Sequence, residues 1–221
     1  MGKIQSILHT AVIVALLAST NASLINEHNS IGTETSVSLR PNEHVSFFGG
    51  TYVGLIQRRT TTISLLESKF GEFTSAYNQY IHSEDGMREV RETFNHLEKV
   101  PNLADFPTEA GHEDKPYRNS VGISNLGVLK SINDLEEVWS CHTCTPWGNA
   151  LNVDVVSLDG RIRAIVARSA IDHPPVDCFM TALKFAVRRF AENMDGAAMG
   201  KLQDDLLRDV VDDIRDKLRH R

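Results

Sequence analysis

Apolar residues recur along this chain in three rhythms: one unbroken run, several helical stripes and one strict alternation. The unbroken run is Ala11 to Ala18, behind Lys3 and ahead of Thr20-Asn21-Ala22. A short positive start, an apolar centre and small residues at the cut are the pattern of a secretory leader. The run is also shorter than the ~20 residues a membrane span needs. The expectation is a leader over 1–22 that is removed, and one secreted domain over 23–221. Within it, 23–43 reads as loosely ordered, with at most a short strand at 37–39.

The helical rhythm starts at Thr60, where Ile63, Leu66, Phe70, Phe73, Tyr77 and Tyr80/Ile81 follow three- and four-residue steps. Ser83-Glu84-Asp85 supplies an N-cap and first-turn acids for a second helix with the stripe Met87, Val90, Phe94 and Leu97, stopped by Pro101. Pro107, Gly111 and Pro116 mark 102–120 as a long loop. Pro174-Pro175 opens a further helix that buries Phe179, Met180, Leu183, Val187 and Phe190. Met199, Leu202, Leu206, Val210, Ile214 and Leu218 then read as the stripe of one terminal helix.

Strict alternation appears around Asp159-Gly160. Two β-prone runs joined by Asp-Gly predict a hairpin over 151–167. Its register sets Val153 against Val166 and Val155 against Ala164, leaving Asp154, Arg161 and Arg163 on a polar face. Gly122 to Ile132 adds one or two more strands. The predicted fold class is α+β, a small antiparallel sheet with this hairpin at its core, packed against several amphipathic helices.

A formal net charge of −6 disfavours a nucleic-acid partner. Three cysteines exclude a disulfide-dense scaffold. In an oxidising compartment Cys178 is expected to pair with Cys141 or Cys144, leaving one thiol spare for a disulfide-linked oligomer. Two readings of Trp139-Ser140-Cys141-His142-Thr143-Cys144 stay open beside this. One is a redox dithiol, although no strand-to-helix context surrounds it; the other is a zinc set completed by His173 and Cys178. The sequence itself calls for no cofactor or metal.

Catalytic residues cannot be named from spacing. HExxH, a G-x-S-x-G elbow and a phosphate loop are all missing. His112-Glu113-Asp114 in the long loop and the Cys141–Cys144 region are the places where a hydrolase or nuclease would work. Val45 to Ile56 is the most apolar internal stretch, and its Phe47, Phe48, Tyr52 and Leu55 are candidates for contact with a target or a membrane. Arg58-Arg59 and Arg188-Arg189 are candidate dibasic processing sites, the first in a loop and the second inside a helix.

Leader, size, glycine-bearing apolar segment, dibasic pairs and spare cysteine give a layout similar in outline to fungal killer preprotoxins, an analogy with no shared motif. It implies a secreted toxin or effector that binds a protein or cell-surface target. A secreted enzyme and a structural or adhesion module, which docks a partner or second copy through its terminal helix, are the alternatives.

Overall fold

The computed structural model describes residues 2–20, 29–38, 53–99, 119–129, 137–142, 149–168, 175–192 and 199–220. The chain forms two compact units. Unit 1 takes Met1–Ile31, Arg59–Gln79 and Ala170–Arg221, and unit 2 takes Gly32–Arg58 and Tyr80–Ser169. The elements in order are α1 (Gly2–Ser19), β1 (Ser30–Ser38), β2 (Val53–Thr61), α2 (Thr62–Glu67), α3 (Phe70–Ile81), α4 (Glu84–Lys99), β3 (Asn119–Leu129), β4 (Asn149–Leu158), β5 (Arg161–Arg168), α5 (Val176–Glu192), α6 (Met199–Asp204) and α7 (Leu207–Arg219).

Unit 2 is built on a sheet of order β2-β1-β3-β4-β5. β3 runs parallel to both β1 and β4, while β4 and β5 are antiparallel. The α+β class stands, but the small antiparallel sheet is corrected to a mixed sheet of five strands. The physical reason lies in β1 and β3. β1 reads Ser-Ile-Gly-Thr-Glu-Thr-Ser-Val-Ser, apolar at Ile31 and Val37 alone, so it carries no alternation to detect. Its parallel partner β3 is remote in sequence, and no turn residue announces such a pairing.

The hairpin has the expected register, with Val153 on Val166 and Val155 on Ala164. Its turn is made by Asp159 (φ 49°) and Gly160 (φ 77°), the left-handed pair that a two-residue hairpin requires. Burial differs from the expected half-exposed ribbon. All of β4 except Asn152 and Ser157 is buried, because the strand is covered on both faces. At the other end of the sheet, α4 protects the edge strand β2. Glu89 Oε1 accepts the Gln57 backbone N–H at 2.7 Å, and the Thr93 hydroxyl donates to the Leu55 carbonyl at 3.2 Å. Side chains thus satisfy backbone groups that a bare edge would leave open.

Unit 1 is helical, and α1 lies in its interior. Ala11 to Ala18 are all buried, as expected of a helix that is apolar on every side. α1 packs against α5 and α7, and Arg215 of α7 donates to the Leu17 carbonyl at 2.8 Å. Ser6, His9 and Thr10 are buried too, and meet α3. Ser6 donates to Asn78 Oδ1 at 3.1 Å, the Thr10 and Thr74 hydroxyls meet at 2.9 Å, and His9 stacks on Tyr77 with ring centroids 3.6 Å apart. The run that reads as a leader is buried within unit 1, and a chain starting at Ser23 would lack it. Among the described residues no helix is long and apolar enough to cross a membrane.

Two stripes that read as continuous helices are interrupted. The first breaks at Ser68-Lys69 and the last at Asp205-Leu206, and the two breaks pair with each other. Phe70 N–H donates to the Asp205 carbonyl and Leu207 N–H to the Ser68 carbonyl, each at 2.9 Å. Each break thus supplies hydrogen-bond partners for the other's freed backbone groups. A hydrophobic period cannot register this, since the stripe runs on through the gap.

Candidate functional site

The segment 137–142 has no regular secondary structure and crosses one face of the β4–β5 hairpin. Asp154 pairs with Ile165 and Val156 with Arg163, so Asp154 and Arg163 point from the same face. The segment is fastened to this face at both ends.

At its start, Glu137 Oε1 accepts from Arg163 at 2.8 Å and Glu137 Oε2 accepts from the Trp139 indole N–H at 3.1 Å. The Arg163 guanidinium stands 5.5 Å from the Trp139 ring centroid. The hydrogen bond from Arg163, and after it that from Trp139, hold the Glu137 carboxyl below its ordinary range.

At its end, the His142 backbone N–H donates to Asp154 Oδ2 at 2.9 Å, and His142 Nδ1 bonds Asp154 Oδ1. Asp154 is 2% exposed, whereas the His142 side chain is 60% exposed. A buried carboxylate therefore fixes one ring nitrogen, and the ring itself stays in water. Nε2 makes no hydrogen bond among the described residues. An imidazole oriented through Nδ1 with Nε2 open can take or give a proton at that atom.

A second polar group lies elsewhere in the sheet. Glu34 on β1 accepts from Gln57 Nε2 at 2.9 Å, Asn149 Nδ2 at 3.1 Å and Asn119 Nδ2 at 3.4 Å. Gly122 makes room for it, since a Cβ there would stand 2.2 Å from Asn149 Nδ2 and 2.3 Å from Asn152 Oδ1. These amides tie strands together.

The other sequence-derived candidates fall as follows. Cys141 is exposed, Cys178 is half-buried on α5, and both are free thiols. The Cys141 Sγ lies 3.7 Å from the carbonyl oxygen of His142. Cys144, His173, the His112 loop, Phe47, Phe48 and Tyr52 lie outside the described residues. Leu55 is half-buried on β2. Arg58 and Arg59 lie on β2, not in a loop. Arg58 rests 3.3 Å from the Tyr80 ring centroid and 3.6 Å from Glu89. Arg188 is exposed on α5, and Arg189 bonds Asp205 at 3.0 Å and Asp213. Among the described residues no group of three or more His, Cys, Asp or Glu side chains could hold a metal.

The sequence places Asp154 on the polar face of the hairpin with Arg161 and Arg163, without marking it as a site residue. Its pairing with His142 was not legible there, because the link runs across the sheet face and follows no spacing rule.

No protein-family model matches the chain, and no curated protein matches it. Among solved structures it is similar to the epimerization domain from the third module of tyrocidine synthetase B, at a TM-score of 0.39 and 15% identity. That match covers 96% of this chain and 42% of the other. It is also similar to a structure described as the molecular basis for condensation domain-mediated chain release from the enacyloxin polyketide synthase. There the TM-score is 0.43 and the identity 13%, over 86% of this chain and 37% of the other. The chain thus spans less than half the length of either.

Proposed function

We propose that the protein is a hydrolase of uncharged esters in which His142 is the general base and Asp154 its positioning partner. The observation that supports this reading is the His142–Asp154 pair, a buried carboxylate on Nδ1 and an open Nε2. In the proposed step Nε2 takes a proton from water as the oxygen attacks the ester carbonyl carbon. The bond to the alkoxide leaving group then breaks, and the same proton passes from Nε2 to that oxygen. Every atom is accounted for by water, ester, acid and alcohol, and no cofactor enters. The net charge of −6 favours a neutral carbonyl over a phosphodiester as substrate.

The test is turnover of p-nitrophenyl esters by the full chain and by His142→Gln and Asp154→Asn. A positioned general base contributes about 10²–10⁴-fold, so His142→Gln should lose turnover on that scale while circular dichroism stays unchanged. A folded His142→Gln protein with full turnover overturns the reading. An effector that acts by binding, the competing class, would keep its potency in that variant.

A further inference from the structure

We propose that Trp139 is the binding face for the aryl or extended apolar part of the substrate whose ester carbonyl is presented to His142; this rests on the hydrolase reading above. Trp139 is 58% exposed, yet its indole is held in place. The N–H is fixed by Glu137 at 3.1 Å, the Arg163 guanidinium stands 5.5 Å from the ring centroid, and Glu137 and Arg163 are joined at 2.8 Å. An exposed aromatic side chain ordinarily keeps its rotamer freedom and loses it on binding. Here two contacts of the indole, braced by the bond between Glu137 and Arg163, already restrict that freedom, so stacking a ligand costs less entropy.

Position supplies the second argument. Trp139 is three residues before His142, and three extended residues span at most ~10 Å. Their fastening points, Arg163 and Asp154, share one face of the hairpin. A ligand that covers the indole can therefore reach Nε2 with a carbonyl placed a few bonds from its ring. The matching substrate class is an arylalkanoyl ester, for example 3-phenylpropionyl. An acetyl ester has nothing to lay on the indole.

The experiment uses the full chain with Trp139→Ala, Trp139→Phe and His142→Gln variants. Saturation-transfer NMR follows the ring protons of 3-phenylpropionamide, and steady-state kinetics, read as acid release, compare ethyl acetate with ethyl 3-phenylpropionate. An aromatic contact is worth about 0.5–1.5 kcal/mol, so Trp139→Ala should raise KM for the arylalkanoyl ester about two- to tenfold. KM for the acetate should not move. The NMR signal should weaken in Trp139→Ala, by the same two- to tenfold loss of affinity in a titration, and persist in Trp139→Phe and His142→Gln.

Undiminished probe binding by a folded Trp139→Ala protein overturns the proposal, and so does an equal KM change for both esters. The two readings fail separately. Loss of turnover in His142→Gln alongside unchanged binding in Trp139→Ala removes the subsite and leaves the base. Probe binding that depends on Trp139, with turnover indifferent to His142, removes the base and leaves Trp139 as a binding face.

Discussion

Removing residues 1–22 takes α1 out of unit 1, and the size of the resulting loss can be worked from burial. Val12, Ile13, Val14, Leu16 and Leu17 are each at most 8% exposed. Burying one such side chain is worth about 1.5–3 kcal/mol, so these five together contribute on the order of 10 kcal/mol as an upper figure. A whole domain is stable by only about 5–15 kcal/mol. The truncated chain should therefore fail to form unit 1, exposing the inner surfaces of α5 and α7 that α1 covers. The milder variant Leu17→Ala should cost about 2–5 kcal/mol, because Leu17 is 1% exposed and leaves a cavity. The assay is urea unfolding followed by circular dichroism, on the full chain, Leu17→Ala and the chain 23–221. A chain 23–221 that unfolds cooperatively at the same midpoint as the full chain refutes α1 as core. It would also support the proposal of secretion with a leader cut after Ala22, for which intact mass of the released protein would show a chain starting at Ser23.

Asp213 should carry a pH signature. Burial alone would raise its carboxyl, but the Lys217 ammonium at 2.9 Å and the Arg189 guanidinium outweigh that and hold it below the ordinary range. A carboxyl lowered by folding stabilises the folded state above its unfolded value, and that contribution is lost as pH falls through the ordinary aspartate range to the lower folded value. Asp213→Asn should therefore be less stable than the parent at pH 7, and the gap should close below about pH 4 in unfolding curves taken at each pH; a gap that widens on acidification contradicts the assignment. Gly122→Ala should cost about 1–3 kcal/mol, since its methyl displaces the Asn149 amide from Glu34. Denaturant unfolding measures this cost, and an unchanged midpoint would show that the amide has another place to go.

The sequence by itself determined what local physics determines. Asp159-Gly160 required a left-handed two-residue turn, and the flanking alternation then allowed a single register. Ser83 and the acids after it marked the start of α4, and Pro174-Pro175 the start of α5. Each signal acts within a few residues, where sterics, capping and side-chain period operate. The mixed sheet was decided by tertiary structure, because β1 and β3 carry little alternation and gain their stability from neighbours on both sides. So was the packing of the run 11–18 inside unit 1. Its composition suits a leader and an interior helix alike, and its contacts with α5 and α7, and those of Ser6, His9 and Thr10 with α3, exist only in the fold. The candidate site belongs to the same class. Cys141 and Cys144 attracted notice by spacing, but the proposed chemistry lies in a bond from His142, between them, to Asp154, twelve positions along the chain. Only folding brings that carboxylate, buried on β4, beneath the imidazole, because the pair depends on strand facing and on where the segment 137–142 crosses.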